Sequence, residues 1–193
     1  VYKTLVKLAQ NPFHLLLSFV NPQDIVLLPM FMRRPEMNPI MASEFDPPDI
    51  PKPPTRYEDL STKPAAQIAY RNSYYSGYGP QRAVKKAYED HEQEYRNLYY
   101  RLHLEVDRPL EKVRKALTAD NSREKVIFRT SDHGDLLGAH GGLHQKWFNL
   151  YDEATRVPFE IVISVKENGP KGSIDLVPTS HVDLIPTALA LAG

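Results

Sequence analysis

The sequence predicts an α/β domain with a mixed, largely parallel central sheet flanked by helices. Three observations lead there. Apolar runs of strand length occur at "PFHLLLSFVNP", "KVIFRTS" and "VPFEIVISV", a long stretch with helical periodicity separates the first two, and a capped helical pattern closes the chain. Strands buried on both faces and alternating with helices are the pattern of an α/β sheet with parallel pairs. At 193 residues the chain suits one domain, or most of one, and can bury a sizeable core.

The elements follow in order. "PFHLLLSFVNP", Pro12 to Pro22, is bounded by prolines and has the length of a central strand. Nine of the seventeen prolines then fall between Pro29 and Pro64, where lost amide donors and fixed φ angles exclude long helices and central strands. Met30, Phe31, Met32, Ile40, Met41 and Phe45 give this stretch apolar groups to bury, so 29–64 reads as an ordered excursion or lid. Val84, Tyr88, Tyr95, Leu98, Leu102, Val106, Leu110, Val113 and Leu117 recur at intervals of three, four or seven, the stripe of one long amphipathic helix with a kink expected at Pro109. Glu89, Asp90, Glu92, Gln93 and Glu94 lie mostly off that stripe and read as a solvated face. "KVIFRTS" is the second strand, "VPFEIVISV" the third, and "GPKG" a turn. In "TSHVDLIPTALALAG", Thr179 or Ser180 offers an N-cap and Asp183 a first-turn charge to a closing helix.

Composition excludes several function classes. Twenty-four basic and twenty-four acidic side chains cancel, so no global field draws the chain to nucleic acid or to an anionic membrane. Without cysteine this stretch has no disulfide, thiolate metal site or cysteine nucleophile. No apolar run approaches the roughly 20 residues that span a bilayer. Val1 is not methionine and "ALALAG" stops where a helix reaches its C-cap, so the chain is expected to be a piece of a longer protein.

The chemistry concentrates in "TSDHGDLLGAHGGLHQKW", Thr130 to Trp147. Asp132 and His133 stand at the carboxyl end of a strand, where open α/β sheets bind ligands. A carboxylate beside an imidazole offers two ligands to a divalent metal, and Gly134 lets the backbone turn sharply or accept a close neighbour. Two ligands do not complete a site, and no self-contained zinc spacing is present; an ordinary strand-end turn is the plainer alternative. Beyond them, Gly138, Gly141 and Gly142 permit unusual backbone, while His140, His144 and Lys146 could meet an anion held by the metal. Each histidine has a structural, hydrogen-bonded alternative, and Lys146 could be a surface lysine whose stem is covered by Trp147 and Phe148.

Followed by "YDEATRVPF" and "SHVDLIPTALALAG", this loop resembles the later part of the catalytic domain of a sulfatase, in the alkaline phosphatase superfamily. "PFHLLLSFVNP" resembles that family's middle strand and "EVDRPLEKVRKAL" the helix before its metal strand; the proline-rich excursion matches least. The resemblance makes residues 1–193 a partial sulfatase-like domain, Asp132 and His133 metal ligands, and Lys146 a contact of the sulfate group of a small ester. Calcium is the family's usual metal, and an imidazole ligand also suits manganese or zinc. Arg156 and Pro158 would order the loop and start the next strand, and Asp152 and Glu153 would hold it through backbone amides.

Departures from the family are equally specific. Gln23 stands where histidine is common, so acid assistance to the leaving oxygen is lost or supplied elsewhere, with His144 the candidate. His133 stands where many sulfatases have asparagine, which also resembles the phosphonate and phosphodiester hydrolases of the superfamily. The formylglycine nucleophile, made from a Cys/Ser-x-Pro-x-Arg motif, has no counterpart in the chain, nor has the aspartate pair of the first strand. The chain alone is thus expected to be inactive, with the missing N-terminal part of the same protein as its partner. In the implied mechanism a hydrated formylglycine attacks sulfur while Lys146 offsets charge on the sulfuryl oxygens. A phosphonate or phosphate ester hydrolase and a degenerate, non-catalytic binding module remain alternatives.

Overall fold

The computed structural model describes residues 13–34, 36, 48–78, 81–82, 84–119, 124–164 and 177–192. The chain divides into two compact units, Val1–Ala119 with Asp132–Val157, and Asp120–Ser131 with Pro158–Gly193. Residues 1–12, with Pro12, as well as Ile40, Met41, Phe45, the "GPKG" turn and Gly193, lie outside the described residues.

The first unit is helical. A 3-10 turn at Gln23–Leu27 leads into α1 (Leu28–Arg33), with Pro29 in its first turn, where a missing N–H costs nothing. Ile25, Leu28 and Phe31, three residues apart, are all buried, so this short element presents one face to the core. After a 3-10 turn at Leu60–Thr62 comes α2 (Ala65–Ser76), then a minimal hairpin of β1 (Gly77–Tyr78) and β2 (Gln81–Arg82). Next are α3 (Val84–Asp90) and α4 (Glu92–Thr118). Val84 and Tyr88 from α3 join Tyr95, Leu98 and Leu102 from α4, Tyr74 from α2, and the α1 residues in one core. Burying each of these large side chains contributes about 1.5–3 kcal/mol.

The expected single helix is broken at His91 (φ −130°, ψ 35°) rather than at Pro109, which sits inside α4. Proline there leaves the Glu105 carbonyl without its helical donor, and the half-exposed setting of that turn lets water replace it. The polar face of the helix is also less solvated than its composition suggests. Glu89, Asp90 and Glu94 are exposed, but Glu92 and Gln93 lie under the segment 48–58. Gln93 and Arg96 both donate to the Ile50 carbonyl (3.1 and 2.8 Å), Ile50 N–H donates to Asn97 Oδ1 (3.2 Å), and Glu92 takes ion pairs from Arg56 and Lys52. Residues 48–58, within the proline-rich excursion, therefore form a strap fastened to α4 through the Ile50 backbone and the Arg56 and Lys52 side chains.

Beneath the strap the core turns aromatic. His144, 4% exposed, stacks on Tyr88 (4.0 Å, 18°) and meets Tyr95 edge-on (5.0 Å). The Tyr74 and Tyr88 hydroxyls pair at 2.7 Å, and burial pushes the Tyr74 hydroxyl up to about 12. Burial, with the Arg56 charge adding to it, holds the His144 imidazole down to about 3, so its ring is neutral across the ordinary pH range.

The second unit holds β3 (Lys125–Thr130) and β4 (Phe159–Ser164), paired antiparallel from Lys125↔Ser164 to Thr130↔Phe159. The expected parallel relation does not hold for this pair, because a parallel partner needs a crossover that returns the chain to the starting end of the strand. Here β4 begins opposite Thr130, where β3 ends, and so runs back along it. Arg129 and Glu160, directly opposite, form an ion pair at 2.7 Å. The expected first strand is not in a ladder either: residues 13–20 form no regular element, and Leu16 and Val20 are 81% and 71% exposed. The closing helix α6 (Leu184–Ala192) begins as expected. Ser180 and Asp183 form a reciprocal capping box, and Thr130 Oγ1 lies 3.1 Å from His181 Nε2. The helical turn Asp152–Thr155, in the first unit, is α5. No helix among the described residues is long and apolar enough to cross a membrane.

Two consequences are measurable. Leu102→Ala, at a position with no exposure, should cost about 2–5 kcal/mol in urea denaturation, whereas Leu189→Ala, 67% exposed, should stay within about 0.5 kcal/mol. His144 is the pH-sensitive element of the core. Unfolded, it takes up a proton near its ordinary 6.5, and folded only near about 3, so its contribution is complete above pH 6.5 and is lost as pH falls towards 3. His144→Phe keeps a ring in the stack without the titration, and should flatten the fall in stability between those limits; an unchanged slope would assign the acid sensitivity to other groups.

Candidate functional site

The site is built from residues 132–157 of the first unit. Its backbone is unusual: Leu137, His140, Gln145 and Phe148 all have positive φ (49°, 50°, 64° and 56°), as do Gly138, Gly141 and Gly142. A left-handed non-glycine residue is costly and persists only where its surroundings enforce it, and such residues cluster at functional sites. The enforcing contacts are visible. Asp135 Oδ1 accepts from the Leu137 N–H (2.8 Å) and the Tyr95 hydroxyl (3.2 Å), while Leu136 N–H donates to the Gln145 carbonyl (2.9 Å), closing the loop at its base. Burial raises the Asp135 carboxyl above the usual range, opposed by these donors and by Lys146. At the tip, Gly141 N–H donates to the Thr55 carbonyl (3.0 Å), Arg71 to the Gly141 carbonyl (3.2 Å), and Tyr75 to the Gly142 carbonyl. A Cβ on Gly141 would lie 2.7 Å from the Glu58 carbonyl oxygen, so glycine there serves close approach as well as φ.

Lys146 and Gln23 are brought together. Although 123 residues apart, Lys146 Nζ donates to Gln23 Oε1 at 3.3 Å. Each is placed by its own anchor: Gln23 opens the 3-10 turn pinned by Ile25, and Lys146 follows the buried pair His144 and Gln145. Trp147 and Phe148 meet edge-on beside it, and Phe148 also packs on Tyr70.

Asp132 and His133 form a second small constellation. The Asp132 side chain is 85% exposed, and the His133 N–H donates to its Oδ1 (3.0 Å). His133 Nδ1 lies 2.8 Å from the Gly134 carbonyl, which accepts its N–H. Its Nε2 is 3.5 Å from Asp132 Oδ2. A carboxylate oxygen and an imidazole nitrogen are both donor types that divalent metals accept. The pair could offer two ligands to a divalent ion. No group of three or more acidic, histidine or cysteine side chains suited to a metal occurs among the described residues, so the pair by itself does not complete a metal site there.

The turn carrying this pair is held from behind. Gly134 N–H donates to the Ala154 carbonyl (2.9 Å), and a Cβ on Gly134 would meet the Glu153 carbonyl oxygen at 2.0 Å. Any side chain there would push Asp132 and His133 away from α5. His140 is nearly enclosed between Glu58 and Glu153, and His144 is inside the aromatic core, where a neutral buried ring is poorly suited to hand over protons. Arg156 and Asp152 approach only to 3.8 Å at the surface, while the Asp152 carbonyl accepts the Arg156 N–H. The sequence reading missed Asp135, Arg71, Tyr75 and the strap residues Thr55 and Glu58, along with the whole of α2. Only the length of the glycine-rich stretch, which needs a partner to hold it, hinted at them.

A family model described as Sulfatase matches residues 63–193. The chain is 38% identical over 95 residues to the uncharacterized sulfatase YidJ of Escherichia coli, covering 49% of this chain and 18% of that protein. It is 36% identical over 106 residues to arylsulfatase K of Danio rerio (53% and 19%), and 36% identical over 72 residues to choline-sulfatase of Rhizobium meliloti (36% and 12%). The chain thus spans about a fifth or less of the length of these relatives. No solved structure matches it. The match of the family model to most of the chain, through the α2–α4 helices, the strained loop and the closing helix, places this protein in the sulfatase family, in the later part of its α/β catalytic domain.

Proposed function

We propose that this chain is the middle and later part of the catalytic domain of a longer, metal-dependent sulfatase that hydrolyses small sulfate esters. The remaining strands of its sheet, its formylglycine nucleophile and the other metal ligands then belong to segments outside these 193 residues. The observation that carries the reading is the meeting of Gln23 and Lys146, two residues from distant parts of the chain, beside a loop held in a costly backbone conformation. Relatives bearing the names arylsulfatase and choline-sulfatase support a sulfate ester as substrate.

In this reading Asp132 and His133 hold the cation, calcium first, with manganese or zinc compatible with the imidazole. The bound ion supplies Lewis-acid polarisation of an ester oxygen. Lys146 binds a sulfuryl oxygen without a metal bond, and Gln23 orients that lysine and donates a hydrogen bond through its amide nitrogen. His133, an imidazole where many sulfatases carry an amide, favours a second reading in which the ester is a phosphonate or phosphate. Turnover of aryl sulfate against aryl phosphonate by the full-length protein separates the two.

Two outcomes test the assignment in the full-length protein. Asp132→Ala should lower metal content and activity together, while Lys146→Ala should leave metal nearly unchanged and lower kcat, because a lysine charge counts for more as negative charge redistributes in the transition state. Full metal in the first variant, or full activity in the second, overturns the role concerned. Gln23→His should restore proton donation near the leaving oxygen. It should raise the rate on esters of poorly acidic alcohols, by up to about 10²–10⁴-fold, more than on aryl esters with good leaving groups. Equal changes on both would make Gln23 a positioning group only.

A further inference from the structure

His140 has contacts that none of the foregoing roles uses. Its backbone is left-handed (φ 50°, ψ 60°), and its side chain is 12% exposed. Nδ1 lies 2.7 Å from Glu58 Oε2 and Nε2 3.2 Å from Glu153 Oε2, so each ring nitrogen faces a carboxylate. The ring lies flat on Tyr151, with centroids 3.5 Å apart and planes 7° from parallel. Lys63 completes the cluster: it pairs with Glu58 at 2.7 Å and stands 5.7 Å from the centre of the same Tyr151 ring. Lys63 first, and His140 after it, hold the Glu58 carboxyl below the usual range, so Glu58 is an ionised acceptor.

What the cluster grips matters more than the cluster itself. Tyr151 and Glu153 belong to one tight turn, in which the Tyr151 carbonyl accepts the N–H groups of Ala154 and Thr155 (2.9 and 3.0 Å). The Ala154 carbonyl of that turn takes the Gly134 N–H, and the Glu153 carbonyl presses on the face of Gly134 where a side chain would be. Gly134 follows Asp132 and His133 directly, and its own carbonyl accepts from His133 Nδ1. A continuous set of contacts therefore runs from Glu58, on the strap, through His140 to Glu153 and Tyr151, and on through Gly134 to the Asp132–His133 pair. The His140 backbone is fastened to the same strap, its N–H donating to Thr55 Oγ1 at 3.1 Å.

We propose that His140 is a positioning residue: clamped between Glu58 and Glu153 and stacked on Tyr151, it fixes the 151–155 turn against Gly134 and thereby sets the spacing of Asp132 and His133. The inference rests on the reading of that pair as metal ligands. A histidine suits the task because it alone can face a carboxylate at each end while offering a flat ring to an aromatic partner. Glutamine reaches one carboxylate but cannot stack in the same way, and phenylalanine stacks but holds neither.

The test is calcium titration of the full-length protein, with the dissociation constant as the readout and kcat measured at saturating calcium. Loss of a group that orients a ligand from behind typically weakens metal binding about 10–100-fold. His140→Ala and Glu153→Gln should each weaken calcium within that range, His140→Gln less, and the His140→Ala/Glu153→Gln pair no more than His140→Ala alone, because both break one connection. Excess calcium should recover most of kcat in these variants, as it would not for Lys146→Ala. A folded His140→Ala that binds calcium within twofold of the unaltered protein overturns the proposal. Should that variant not fold, Glu153→Gln binding calcium like the unaltered protein overturns it as well. Asp132→Ala separates the two levels: if it keeps full metal, the ligand assignment itself fails, whereas if it loses metal while the His140 and Glu153 variants do not, only the positioning role fails.

Discussion

The burial of His144 against Tyr88 is the contact on which the loop's position depends. A glycine-rich stretch with seven residues at positive φ has no intrinsic reason to stay in one conformation, and the conformational entropy it loses must be offset where it touches something rigid. That place is the aromatic layer under the strap, where Tyr88 covers one face of the imidazole, Tyr95 meets its edge, and the Tyr70 hydroxyl reaches the His144 carbonyl at 3.2 Å. Leu136 and Leu143, both 1% exposed, and Ala139, with no exposure, are buried on the same loop. Lys146 follows two residues after His144, so its reach to Gln23 is set by a packed ring and not by a mobile tip.

Opposite ends of the loop are held by different chemistry. The base is closed by a buried carboxylate, Asp135, which receives donors from Leu137 and Tyr95; the tip is closed by the strap through Thr55, Glu58 and His140. The strap is in turn attached to α4 through Ile50 and through the ion pairs of Arg56 and Lys52 with Glu92. Exposed ion pairs contribute little, but Arg96 at 4% exposure is satisfied by a backbone carbonyl and by Gln93, which makes its loss costly. A proline-rich segment with few backbone donors is well matched to such a role, because its own carbonyls and side chains accept from donors on its neighbours.

The antiparallel β3–β4 ribbon and α6 present a different physical situation. Val126, Ile161, Val162 and Ile163 remain 38–46% exposed, and Ile185 and Leu189 on α6 are 60% and 67% exposed. Two strands cannot bury both of their faces, so residues suited to the interior of a sheet stay in contact with solvent. This composition is what a sheet flanked by further layers requires, in keeping with the α/β class of the family, and it explains why strand content could be read where strand direction could not.

Local pattern by itself determined much of this protein. The three-, four- and seven-residue spacing from Val84 to Leu117 placed the helices, the Ser180–Asp183 pair placed the start of α6, and the alternation of apolar runs with turns located β3 and β4, because these depend on neighbours in the chain. Candidate residues in the glycine-rich loop stood out for the same reason, since side chains capable of metal or anion chemistry are conspicuous among glycines. Only the tertiary structure decided what each one touches. His140 and His144 look alike in the sequence, yet one is clamped by two carboxylates and the other is stacked, neutral, among tyrosines, because α2, α3, α4 and the strap converge on the loop from 40 to 85 residues away. The antiparallel direction of β4, the break at His91, the role of Asp135 and the meeting of Gln23 with Lys146 were likewise invisible in the sequence: each is set by a contact between distant segments, for which local spacing carries no signal.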